Sequence, residues 1–247
     1  MSTERLKINK ISALLHNWLK MQASEESLTW LEGKQAQIGQ NASEKPLFIA
    51  FSQASRYFES QKLELTSEQL QLANEIVTGW NPTNWTVNQV ARTLLILVFP
   101  HEDKDKYVTT INKIFAAADV KEAIALYQSL PLLPYPEQFK LRAAEGIRSN
   151  MTSVFNAVAL FNPYPAQYLD DIAWNQMVLK ALFVGSPILP IYGLEQRNNQ
   201  QLSQMLIDYA RERLAAKRKV NPQLWQLAAP FQPQTVASLE AKFKSIA

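Results

Sequence analysis

Residues 146–185 read GIRSNMTSVFNAVALFNPYPAQYLDDIAWNQMVLKALFVG, and this stretch decides the fold class. Its apolar residues follow a helical pattern on both sides of Asn162-Pro-Tyr-Pro165, a rigid turn in which two prolines fix φ and withhold backbone donors. The preceding helix continues to Phe161, with a break possible near Gly146 to Asn150. The following helix is predicted from about Ala166 to Val184, holding Trp174 and Lys180. Polar groups are set into this apolar sequence: Arg148, Asn150, Asn156, Asn162, Asp170, Asp171, Trp174, Asn175, Gln176 and Lys180. Amides are costly to bury unless satisfied, so such a mixture marks either a structural polar network or a ligand site.

Working outward, the same period recurs along the chain. Ile11, Leu14, Leu15, Trp18 and Leu19 predict an amphipathic helix over residues 4–21, with Thr3 and Glu4 suited to its start. A second begins at a Ser24 cap with Glu25 and Glu26 near the positive end of the dipole, and a third follows Pro46. Thr66-Ser67-Glu68-Gln69 is a capping box, and Gly79 stops the helix it opens. After the Asn81-Pro-Thr-Asn84 turn, the run Thr93 to Phe99 has so few polar positions that its helix should be buried on most sides. The Pro-rich linker Leu130 to Pro136 cannot be helical throughout and suggests a subdivision into residues 1–130 and 137–247 within a single domain spanning 1–247. Gly185 to Gly193 reads as an extended apolar connection, followed by a long helix from about Asn199 to Lys217. No segment shows strand alternation bounded by hairpin turns. The fold class is therefore all-α: irregular stacked helical pairs, in a HEAT- or armadillo-like solenoid or a helical array.

Composition removes several function classes. There are no cysteines, so disulfides, thiolate metal sites and cysteine nucleophiles do not arise. The net charge of +3 is small for 247 residues and gives nucleic acid little support. The basic run Arg211, Arg213, Lys217, Arg218 and Lys219 sits at a helix end, where the dipole favours cations. The N-terminus lacks the unbroken apolar core of a secretory signal, and Ala181 to Leu194 is too short for a membrane span, so a cytoplasmic protein is expected. His16 and His101 have no partners for metal binding or catalysis, and no Walker or G-x-G-x-x-G sequence supports a nucleotide. No catalytic residue, metal site or cofactor is expected.

Asp170-Asp171 could bind magnesium, as in terpene synthases, but a diphosphate site needs a second acidic cluster and none is evident. Two aspartates also suit a helix N-terminus, which is the preferred reading. Arg142, Glu145, Ser149, Thr152 and Asn156 make a polar stripe if one helix runs through Gly146, and Gln176 and Lys180 an i,i+4 pair. Facing each other they would line a cleft. The candidates for ligand or partner binding are Arg148, Asn150, Asn156, Asn162, Asp171, Trp174, Asn175 and Lys180.

Gly146-x-Arg148-Ser-Asn150, Val154-Phe155-x-Ala157-x-Ala159, Asn162-Pro-Tyr-Pro165, Trp174 to Phe183 with Gly185, Gly193-Leu-Glu195 and Tyr209-Ala-Arg-Glu-Arg213 resemble the EboA family over about residues 140–228. The first half matches only in helical character. The resemblance implies a bacterial, often cyanobacterial, ebo gene cluster, whose other products resemble a prenyltransferase, a metal-dependent hydrolase and sugar-phosphate isomerase-like proteins. Such clusters are linked to making or exporting specialised metabolites, including precursors of an indolic sunscreen pigment. It supplies a context without a reaction. The expected function is a non-enzymatic accessory protein that binds a small-molecule metabolite or other ebo-cluster proteins. The alternative is an enzyme acting on a prenylated or phosphorylated intermediate, with Asp170, Asp171, Arg148 and Lys180 as its charged groups.

Overall fold

The computed structural model describes residues 3–40 and 43–244, and the side chains of Thr3, Glu4 and Lys244 lie outside that description, as does the expected part of Thr3 and Glu4 in starting the first helix. The described residues form fourteen α-helices and two short 3-10 segments, with no strand beyond one isolated bridge between Lys62 and Thr86. The fold is all-α. The chain divides into two units, Met1–Tyr164 and Pro165–Ala247.

In the first unit, α1 (Thr3–Gln22), α2 (Glu25–Gln40), α3 (Lys45–Tyr57) and α7 (Val120–Ser129) pack on α5 (Val87–Leu97), while α4 (Ser67–Ile76) packs on α1. The central place of α5 follows from its sequence: every residue from Val87 to Leu97 except Gln89 is buried. A capping box starts it, Thr86 accepting from the Gln89 backbone N–H and Gln89 accepting from that of Thr86. The expected box at Thr66 and Gln69 starts α4 in the same way, and Asp119 with Glu122 starts α7. Together the two residues of a box satisfy two of the donors that a helix start leaves open.

A charged group lies inside α5, where no local pattern announces it. Arg92 is 2% exposed, donates to the Phe51 carbonyl at 3.1 Å and to Asn88 Oδ1 at 2.6 Å, and faces Glu122 at 3.5 Å. With its donors engaged the cation is tolerable inside; removing one partner of such a buried pair costs about 3–5 kcal/mol.

After α6 (Lys104–Ala117) and α7, the linker forms 3-10 turns at Leu130–Leu132 and Pro136–Phe139 inside this unit. The break that the sequence allowed near Gly146 to Asn150 is present: α8 (Lys140–Arg148) ends, residues 149–151 bend, and α9 (Thr152–Ala159) begins, which divides the polar stripe that a single helix would have made. Arg142 and Glu145 pair at 2.8 Å on α8, and Asn156 sits on α9. Gly146 is required because α7, α8 and α9 meet there. A methyl group on it would lie 2.6 Å from Val158 Cγ2 and 2.8 Å from the Tyr127 ring.

The helix expected from Ala166 to Val184 is also two, α10 (Tyr164–Tyr168) and α11 (Asp171–Val184). The break falls at Asp170, whose extended backbone lets its carboxylate accept from the Ala173 N–H at 2.8 Å. Capping is thus what Asp170 does. In the second unit α11 packs on α12 (Gln200–Ala215), which also carries α13 (Gln223–Ala228) and α14 (Pro233–Lys244). The connection from Gly185 to Gly193 is not extended but turned, because Ile188 and Ile191 fold inward to burial. No helix among the described residues is long and apolar enough to cross a membrane.

Candidate functional site

A cavity of about 190 Å³ opens in the first unit where the turn before α5, the last turns of α7, and α9 with its exit meet. Six of its twelve lining residues are amides, Asn81, Asn84, Gln89, Gln128, Asn156 and Asn162, and none is ionisable. Trp85 and Phe161 add aromatic surface, and Ile124, Ala157 and Leu160 aliphatic surface. The cavity therefore suits an uncharged ligand that is partly polar and partly flat. An ion would lose its hydration there with no countercharge in the lining.

The walls are held by hydrogen bonds within the unit, some local and some between distant parts of the chain. The Asn81 side-chain oxygen accepts from the Thr83 N–H at 3.1 Å, and the Trp85 N–H donates to the Pro82 carbonyl at 3.0 Å, which closes the turn. Leu63 N–H to Trp85 carbonyl, 2.8 Å, and Val87 N–H to Gln61 carbonyl, 3.1 Å, fasten it to the neighbouring chain. Trp85 meets Trp80 edge-on at 5.8 Å.

On the opposite wall Phe161 has φ of 56°, a left-handed conformation that costs a non-glycine residue about 1–2 kcal/mol. Asn162 holds it there. Its amide nitrogen donates to the Tyr127 and Ala157 carbonyls, each at 3.0 Å, and its oxygen accepts from the Tyr164 N–H at 3.0 Å. Asn162 is 4% exposed and shapes the wall with bonds to its own chain, while Asn156 is half-buried on the cavity side of α9.

Asp171, Trp174 and Asn175 belong to a network in the second unit, organised by an arginine that sequence reasoning passed over. Arg197 lies over the Trp174 ring at 4.8 Å and donates to the carbonyls of Pro165, Ala166 and Leu169 at 3.1, 3.3 and 2.8 Å. Its other amino group meets Asp171 at 2.6 Å. These carbonyls come from α10 and its exit, where the negative end of a helix favours a cation. Asn175, 1% exposed, exchanges amide hydrogen bonds with Asn199 at 3.2 and 2.9 Å, and Asn199 also caps α12 through the Leu202 N–H. Gly193 completes the network, since a side chain there would meet Ala166 Cβ at 2.8 Å.

Of the remaining candidates, Arg148 ends α8 and is exposed, as is Asn150 in the turn after it. Lys180 is half-buried on α11, and that burial lowers its pKa from the ordinary lysine value. Asp170 and Asp171 serve a cap and an ion pair; among the described residues no group of three His, Asp or Glu side chains is placed to hold a metal ion. The structure thus brings Asn156 and Asn162 to one cavity, joins Asp171 to Trp174 through Arg197, and couples Asn175 to Asn199.

The far wall, from Asn81, Asn84, Trp85, Gln89 and Gln128, was absent from the sequence expectation. Its one local signal is the amide density of Asn81 to Gln89, more than a turn and a helix start need. Arg197 carried a fainter one, a cation within the polar run Glu195 to Asn199 that follows the mostly apolar connection from Gly185 to Leu194.

No curated protein and no solved structure matches the chain. A family model described as metabolite traffic protein EboA does match, over residues 11–229, so that both the C-terminal motifs and the N-terminal wall of the cavity fall inside it. With most of its 247 residues so matched, the chain belongs to the EboA family.

Proposed function

We propose that this chain is a non-enzymatic binding protein that takes up a small-molecule metabolite in the amide-lined cavity of its first unit and assists its synthesis or export within an ebo-type gene cluster. The observation that carries the reading is the cavity itself, polar yet free of ionisable groups, with its walls fixed by the chain's own hydrogen bonds. Fixed walls bind without first having to order, which lowers the entropy cost of association. The family description, metabolite traffic, supports the same direction. The setting that fits is a cytoplasmic one in a cyanobacterium, the cargo a precursor of an indolic pigment or a related specialised metabolite, and the partners other ebo-cluster proteins. In this reading Asn156 and Asn162 contact or shape the ligand site; Asp171, Trp174, Asn175 and Lys180 are candidates for a partner surface or its support, and Arg148 and Asn150 for an exposed contact.

The test is to incubate the purified protein with a small-molecule extract of the native host and identify what it retains by mass spectrometry, beside a Ser153→Trp variant. Ser153 is an exposed residue of the cavity rim, so the larger side chain fills the space without disturbing the core. A compound retained unchanged by the wild type and lost from the variant is the expected result. Recovery of a chemically altered compound would favour an enzyme acting on a prenylated or phosphorylated intermediate, and equal retention by the variant would move the site elsewhere.

A further inference from the structure

Gln128, near the C-terminal end of α7, lines the cavity, and its side-chain oxygen is buried without a hydrogen-bond partner among the described residues. A buried acceptor left unpaired is destabilising, so a ligand that supplies a donor there gains a hydrogen bond that the chain does not make by itself. Two of the other amides ask for the complement. The oxygens of Asn81 and Gln89 are engaged by the Thr83 and Thr86 backbone N–H groups, so what these side chains chiefly have left to offer is donors from their amino groups. A ligand matching both sides carries a donor and an acceptor together. Trp85 and Phe161 favour a flat ring beside them.

From this the geometry points to a ligand class, resting on the reading that the cavity is the binding site: an uncharged planar ring compound bearing an N–H or O–H donor adjacent to a carbonyl-type acceptor, as in an aromatic amide or a lactam. The cavity of about 190 Å³ sets its size. At the packing density of protein interiors this accommodates roughly ten to a dozen non-hydrogen atoms, or that portion of a larger molecule. The Gln128 oxygen receives the donor.

One scaffold in four forms tests the class: benzamide, N,N-dimethylbenzamide, benzoate and benzylammonium, titrated into the full chain by calorimetry and ligand-observed NMR. Benzamide is expected to bind to the wild type but not to Ser153→Trp. Its dimethyl form, which keeps the ring and the acceptor but has no donor, should bind about three- to tenfold more weakly, the value of one neutral hydrogen bond. The two ions should bind about a hundredfold more weakly or not measurably. In Gln128→Met the preference for benzamide over its dimethyl form should collapse to within about twofold. Because this substitution removes an unpaired buried acceptor, its melting temperature should equal or exceed that of the wild type. In Gln128→Glu the added carboxylate should turn the preference toward benzylammonium.

Failure of all four compounds to bind in the cavity would overturn the binding-site reading and the ligand class with it. Benzoate or benzylammonium binding the wild type as tightly as benzamide, or a benzamide preference that survives in Gln128→Met, would overturn the class alone.

Discussion

Replacing Arg197 with methionine tests whether the second unit is held by that one cation. Its first amino group shares two protons among three carbonyls, the shortest contact being 2.8 Å to Leu169, and Leu169 and Pro165 are buried. Hydrogen bonds to a charged group contribute about 1.5–3 kcal/mol each, and two protons cannot give three full bonds, so about 2–4 kcal/mol is at stake. The Trp174 contact adds about 0.5–1 kcal/mol, part of which the methionine sulfur restores. The Asp171 pair adds little, because the Asp171 side chain is 74% exposed and water screens it. Arg197→Met should therefore lose about 2–4 kcal/mol in urea unfolding, while Asp171→Ala loses less than about 1 kcal/mol. A loss below about 0.5 kcal/mol for Arg197→Met, or equal losses for the two variants, would refute this assignment, placing the stability in the surface ion pair or nowhere near Arg197.

Two further outcomes follow from local geometry. Gly146→Ala gains about 1 kcal/mol of helix propensity but forces Val158 and the Tyr127 ring away from contacts of 2.6 and 2.8 Å, at about 1–3 kcal/mol, so a net loss in urea midpoint is expected and a rise in stability would contradict the packing. Burial, and next the positive charge of Lys20, lower the His16 pKa, while Glu32 and a Gln35 hydrogen bond oppose the shift weakly. The unfolded chain then takes the proton first. Stability from this group is full above the ordinary histidine value near 6.5 and falls as pH drops from there toward the lower folded value. In denaturant titrations between pH 7.5 and 5, His16→Gln should remove that part of the slope; an unchanged slope would mean that His16 is as well hydrated folded as unfolded.

Local patterns carried the parts of this fold that depend on neighbours in the chain. The all-α class, the Thr66 capping box, the burial around Thr93 to Phe99 and the capping role of Asp170 are each decided within one or two helical turns. The features that escaped depend on residues distant in sequence. Arg92 is acceptable in the core only because Phe51, Asn88 and Glu122 converge on it from α3, α5 and α7. The break near Gly146 to Asn150 was open in the sequence, but its cause was not: α9 turns back to bury Val158 against that glycine, and this divides the polar stripe that a single helix would have made. For the candidate site, Asn156 and Asn162 could be picked out as amides in apolar sequence. Asn81, Gln89 and Gln128 could not be joined to them, since about 25–80 residues of chain intervene and only the packing of α5, α7 and α9 brings them together. The family match extends over both walls, whereas the quoted motifs reach only one.

The six tryptophans allow a direct reading of where a ligand sits, because each indole N–H gives its own resonance. Trp85 lines the cavity, while Trp174 and Trp225 are in the second unit. In a titration of the labelled full chain with benzamide, or with the compound retained from host extract, the Trp85 indole should shift and saturate, with a lesser effect at Trp80, and the Trp174 and Trp225 signals should stay fixed. Saturable shifts at Trp174 or Trp225 with none at Trp85 would contradict the assignment of the amide-lined cavity as the binding site.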